Sequence, residues 1–202
     1  MAEHNIKKVK KIWQSLTEGW FGYIFYAALG IIFAYLLQNV ILSTLLGTHL
    51  PVVAVVSGSM DHGNYRGSLP CGGKVENYEE NFDNWWELCK GFYENIGITK
   101  QQFLTFPFKN GFKRGDMPIV QGSNEYKVGD IIVYSVPTER APIIHRIVKI
   151  NPDGTYQTKG DHNLAQNPYE YSVRKDQIHG RVIFIIPKLG YFKVILSEIF
   201  GI

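Results

Sequence analysis

Ile143-Ile144-His145-Arg146-Ile147-Val148-Lys149-Ile150-Asn151-Pro152-Asp153-Gly154-Thr155-Tyr156-Gln157-Thr158-Lys159 decides the fold class. Apolar and polar residues alternate through a β-branched run, Asn151-Pro152-Asp153-Gly154 supplies a turn, and a second short run returns. The pattern predicts an antiparallel hairpin. Upstream, Gly129-Asp130-Ile131-Ile132-Val133-Tyr134-Ser135 and Gly115-Asp116-Met117-Pro118-Ile119-Val120-Gln121 each set a Gly-Asp turn before another such run. Downstream, Gly180-Arg181-Val182-Ile183-Phe184-Ile185-Ile186 is a further strand, stopped by Pro187. Together these segments predict a mainly β domain, antiparallel and tightly wound, over residues 51–188.

Residues 61–115 differ in kind, being polar, aromatic and punctuated, and read as a partly helical insertion in that domain. A short helix is expected over Asp83 to Tyr93 and another over Lys100 to Phe103 behind a Thr99 N-cap. Cys71 and Cys89 flank its acidic, tryptophan-bearing middle. If the segment is extracytoplasmic they are a candidate disulfide; otherwise they are two free thiols. Their spacing is not that of a metal site.

Before the β domain the chain is apolar. Residues 21–47 carry no ionisable group apart from phenols, with Gln38 and Asn39 the main polar interruption. A stretch of about 20 such residues crosses the hydrocarbon core as a helix, so a single transmembrane anchor is expected. A cleaved signal peptide would have a shorter apolar core, and an ordinary core helix would be amphipathic. Residues 1–20 hold Lys7, Lys8, Lys10 and Lys11, and this asymmetry sets the amino terminus on the cytoplasmic side. At the other end, residues 189–202 are too short to span and carry Lys193 and Glu198, so they read as an amphipathic segment lying on the membrane or on the β domain.

A net charge of +3 and a pI near 8.7 are too mild to argue for a nucleic-acid partner. The chemistry must come from particular side chains. A β-branched strand is expected over Pro51-Val52-Val53-Ala54-Val55-Val56, and it delivers Ser57-Gly58-Ser59-Met60, a small flexible residue between two serines where a hydroxyl can stand clear of the backbone. Ser59 is the candidate nucleophile, although Ser and Gly also end strands with no chemistry attached. His145 sits inside an apolar strand, where an imidazole is either paired structurally or used. The hairpin at 151–154 would return Asp161, in Gly160-Asp161-His162-Asn163, toward His145. A serine, a base and an orienting carboxylate would then be complete, unless Asp161 merely caps its turn.

These segments in this order resemble the type I signal peptidases of the archaeal and endoplasmic-reticulum branch. The resemblance rests on the serine motif at 57–60, Gly129 to Tyr134, Ile144-His145-Arg146-Ile147, Thr158 to Asn163, and Ile178-His179-Gly180-Arg181-Val182. It spans about residues 20–60 and 110–190 and leaves the insertion outside. It implies a membrane-bound serine endopeptidase that removes signal peptides from secretory preproteins, cutting after small residues. Ser59 would be the nucleophile, His145 the base standing where bacterial relatives carry lysine, and the Ser57 hydroxyl with the Ser59 amide the oxyanion donors. It implies no cofactor and no metal, a lipid bilayer as the setting, and leaves open whether accessory membrane subunits take part. One departure stands out: relatives of this branch often carry a second aspartate beyond the Gly-Asp motif, where this chain reads Leu164-Ala165-Gln166-Asn167-Pro168. Asp161 would then orient His145 alone, or Asn167 marks an altered enzyme. The competing reading is a noncatalytic, membrane-tethered β domain that binds a partner through the insertion. A third is a hydrolase using a Ser–Lys pair, with Lys149 or Lys159 as its base.

Overall fold

The computed structural model describes residues 2–192, 194 and 195, which fall into two compact units divided at Leu45/Leu46. Most of the 193–202 portion of the expected C-terminal segment lies outside the described residues; of its beginning, the Val194 N–H donates to the Gly190 carbonyl at 3.1 Å.

The first unit is helical. Helix α1 (Ala2–Thr17) ends where Glu18 turns extended and Gly19 takes a φ of +67°. Helix α2 (Gly19–Leu36) then runs through a π-helical stretch, Leu37–Leu42, into α3 (Ser43–Leu46). Together Gly19–Leu46 form one apolar helix of 28 residues, long and apolar enough to cross a membrane. The amides that interrupt its sequence, Gln38 and Asn39, fall in the π-helical stretch. Asn39 Nδ2 donates to the Tyr35 carbonyl at 3.0 Å and Ser43 Oγ to that of Gln38 at 3.3 Å.

The second unit is built on a five-stranded antiparallel sheet of β1 (Met117–Gln121), β2 (Ile131–Tyr134), β3 (Ile143–Ile150), β4 (Tyr156–Lys159) and β5 (Ile178–Ile186). Its order is β1-β5-β2-β3-β4. The hairpin expected at 151–154 joins β3 to β4, with Arg146 opposite Lys159 and Ile150 opposite Tyr156. The Pro51–Val56 run lies alongside β1 without forming a regular strand: Val53 and Val55 donate to the Pro118 and Asp116 carbonyls at 3.2 and 3.0 Å. Side-chain alternation divides the interior. Ile131 and Val133 of β2 join Val53, Val55, Met60, Phe112, Val120 and Val182 in one core, while Ile132 and Tyr134 join Ile147, Tyr156 and Val173 in another.

The insertion supplies a third core. Helix α4 (Phe82–Asn95) is capped by Asn81, whose side chain accepts from the Asn84 amide, and α5 (Lys100–Leu104) by a Thr99–Gln102 capping box. Their aromatic residues Trp85, Trp86, Tyr93 and Phe103 pack with Val148 of β3, so the insertion's rings are spent on packing it to the sheet. A disulfide joins Cys71 to Cys89.

Candidate active site

Ser59 is held from both sides along the chain. Its carbonyl accepts from the His162 amide at 2.9 Å, and its neighbour Met60 is buried in the first core with its carbonyl receiving the Phe112 amide at 3.0 Å. Gly58 is required between the two serines because the Tyr65 ring occupies the space a Cβ would take. The turn brings the Ser57 and Ser59 hydroxyls 3.2 Å apart. Both line a cleft of about 260 Å³ whose walls include Ala54, Val56, Ala141, Ile144 and His145.

His145 reaches that cleft from β3. Pleating puts it on the face of Ile143 and Ile147, beside Tyr134 and Thr158, and puts Arg146 on the opposite face against the insertion. The His145 imidazole is buried, and its Nδ1 lies 2.5 Å from Oε1 of Glu170. A carboxylate only accepts, so Nδ1 carries the proton and Nε2 presents its lone pair. Nε2 and the Ser59 carbonyl both abut Gly160: a Cβ there would stand 2.8 Å from Nε2 and 2.7 Å from that oxygen. Glycine at 160 therefore lets the serine turn and the imidazole close on one another.

The carboxylate at His145 is Glu170, and Asp161 lies elsewhere. Asp161 follows β4 onto the Arg146 face, where Arg146 Nε donates to its Oδ1 at 3.0 Å and Nη2 to its Oδ2 at 2.7 Å. His62 Nε2 meets the same Oδ2 at 3.1 Å, and the Tyr93 hydroxyl donates to Oδ1 at 3.2 Å. Neighbouring residues on a strand face opposite ways, so a carboxylate bound to Arg146 is turned from His145. Burial raises the Asp161 pKa, but the Arg146 guanidinium and the hydrogen bonds from His62 and Arg146 outweigh it and hold the group well below the usual carboxylate range. Burial lowers the His62 pKa, which fits a neutral ring donating to Asp161.

Glu170 escaped the sequence reading because it lies in a short 3₁₀ turn, Pro168–Tyr171, with no strand pattern to mark it. The Asn167 departure is part of its support. The Asn167 backbone amide and side-chain Nδ2 donate to Glu170 Oε2 at 2.7 and 3.0 Å. The capping-box spacing Asn167-x-x-Glu170 is the signal that points to it. The Thr158 hydroxyl completes the cradle, 3.4 Å from Oε1 and 2.8 Å from the Tyr134 hydroxyl.

Of the other candidates, Lys159 is buried with Nζ donating to the Gly160 carbonyl at 3.0 Å, and burial lowers its pKa to about 8. Lys149 is exposed on the far half of β3. Among the described residues no group of three or more His, Cys, Asp and Glu side chains is arranged to hold a metal. The parts assembled at the cleft are those of a base-activated hydroxyl: a serine, an imidazole with a free lone pair, and a buried carboxylate fixing its tautomer.

Comparison with known proteins finds similar chains. The chain is 37% identical over 106 residues to the signal peptidase complex catalytic subunit sec11 of Sclerotinia sclerotiorum, an alignment covering 47% of this chain and 62% of that protein. The chain is similar to signal peptidase complex catalytic subunits. The SEC11 subunit of Lachancea thermotolerans is 37% identical over 107 residues, covering 47% of this chain and 64% of its own length, and that of Pyricularia oryzae 39% over 107 residues, covering 47% and 62%. This chain thus spans less than two thirds of the length of these signal peptidase subunits. No family model matches it.

Proposed function

We propose that this chain is a membrane-bound serine endopeptidase that removes N-terminal signal peptides from exported preproteins, cutting after small residues. The observation that carries the reading is one cleft shared by Ser59 and by His145, whose Nδ1 is tied to buried Glu170. Ser59 Oγ attacks the scissile carbonyl while His145 Nε2 takes its proton, and the same nitrogen then returns it to the leaving amine. Water enters by the same base and releases the new carboxylate. The Ser57 hydroxyl and the Ser59 amide stabilise the oxyanion. Glu170 holds the imidazole in its reactive tautomer and offsets the charge it acquires.

Small-residue selectivity would follow from the small apolar residues, Ala54, Val56 and Ala141 among them, that wall the cleft beside Ser59. The Gly19–Leu46 helix anchors the enzyme in the cell membrane, or in the endoplasmic-reticulum membrane of a eukaryote, with the amino terminus cytoplasmic and the β domain on the outer or lumenal side. The relatives' names place them in a signal peptidase complex, and accessory membrane subunits are the corresponding partners here.

The test is cleavage of a preprotein by the full chain in detergent, with the cut site read by mass spectrometry. Ser59→Ala and His145→Ala should fold and fail to cut, and the parent should cut after a small residue. Cutting by Ser59→Ala equal to the parent's would overturn Ser59 as the nucleophile, and a folded parent that leaves preproteins intact would favour the binding-domain reading.

A further inference from the structure

The insertion grips the loop that places Gly160. Cys71 sits on a short turn whose backbone N–H donates to the His162 carbonyl at 2.8 Å. From α4, the Trp85 indole N–H donates to the Asp161 carbonyl and the Tyr93 hydroxyl to the Asp161 carboxylate, both at 3.2 Å. Lys159, on the other side of Gly160, has its Nζ 4.9 Å from the centre of the Phe92 ring and 3.9 Å from Cys71 Sγ. The residues flanking Gly160 are therefore all fastened to the insertion, and the disulfide ties the insertion's two gripping pieces, the Cys71 turn and α4, to each other.

We propose that the insertion is a redox-responsive positioning element for the proposed protease: with Cys71 bonded to Cys89 it holds the 159–162 loop so that Gly160 seats Ser59 against His145, and reduction by a dithiol releases that loop and slows cleavage. The inference rests on the signal peptidase reading. Trp85 and Tyr93 act as positioning residues through Asp161 and do not touch the reacting atoms. Cys71 is half-buried and Cys89 is 2% exposed, so the reductant's thiolate attacks Cys71 Sγ. The Sγ–Sγ bond breaks and Cys89 leaves as a thiolate that takes a proton. The reductant's second thiol then displaces Cys71, leaving two protein thiols and an oxidised dithiol, with two electrons and two protons transferred.

The experiment is steady-state cleavage by the full chain in detergent before and after treatment with a dithiol, with the reduced state verified by mass in an alkylated aliquot and the unalkylated remainder reoxidised. The expected result is a fall in kcat on the order of tenfold or more with KM within about twofold, restored on reoxidation. Tyr93→Phe, which removes only the hydroxyl on Asp161, should lower kcat in the same sense, whereas Trp86→Phe, which trims the same aromatic cluster without removing a donor to Asp161, should not. An unchanged kcat in the fully reduced, folded enzyme overturns the proposal. If reduction unfolds the chain, the Tyr93→Phe arm decides, and a parental kcat there overturns it. A parent that cuts no better than Ser59→Ala overturns the protease reading and this inference with it.

Discussion

Glu170 and Gly160 set the proposed site at the scale of single residues, one through charge and the other through the lack of a side chain. Glu170→Gln keeps an oxygen for the His145 Nδ1 proton but cannot offset an imidazolium, so kcat/KM for preprotein cleavage should fall on the order of 10³-fold. The far-UV circular dichroism should stay that of the parent. Asp161→Asn acts by another route, weakening the pair with Arg146, and should show in the denaturation midpoint as well as in the rate. Gly160→Ala puts a methyl 2.8 Å from His145 Nε2, and the displacement it forces should cost about 100-fold in kcat/KM, measured in the same assay.

Among the elements, β3 does the most, because its pleat sends His145 into the cleft and Arg146 into the opposite core. Arg146 donates to the Pro107, Phe108 and Gly129 carbonyls at 2.8 to 3.0 Å as well as to Asp161, joining the insertion, the start of β2 and the loop after β4. Arg146→Met would strand a buried carboxylate and should destabilise the domain by about 3–5 kcal/mol, read by chemical denaturation. The Asp161 pKa is depressed in the fold, so its contribution is present above the unfolded carboxylate value of about 3.9 and is lost as pH falls through the folded value. The parent's midpoint should therefore drop below about pH 4, and that of Arg146→Met should drop less. Lys159 has the same sign in a higher pH window. Its folded pKa of about 8 lies below the unfolded one, so stability should rise between about pH 8 and 10, a rise that Lys159→Met removes.

At the scale of the whole molecule, the chain has a helical unit holding the apolar Gly19–Leu46 helix and a β unit, between which the proposed enzyme would divide anchoring and chemistry. The full chain should remain with the membrane pellet after alkaline carbonate extraction, and release into the supernatant would rule out a spanning Gly19–Leu46 helix. The sequence by itself determined what is periodic or punctuated. The apolar run 21–47, the strands at 117–121, 131–134, 143–150 and 180–186, the Thr99 cap and the Ser57-Gly58-Ser59 turn each carry a local signal, since pleat, helix pitch and turn geometry repeat over a few residues. Which carboxylate meets His145 is different. Asp161 and Glu170 are both downstream acids near turns, and their roles depend on the face to which the chain turns after β4 and on a cradle drawn from Thr158, Asn167 and Tyr134. The need for glycine at 160 is likewise set by two groups distant in sequence, the Ser59 carbonyl and the His145 imidazole. Such contacts exist only once strands from separate parts of the chain have paired, and no local pattern encodes them.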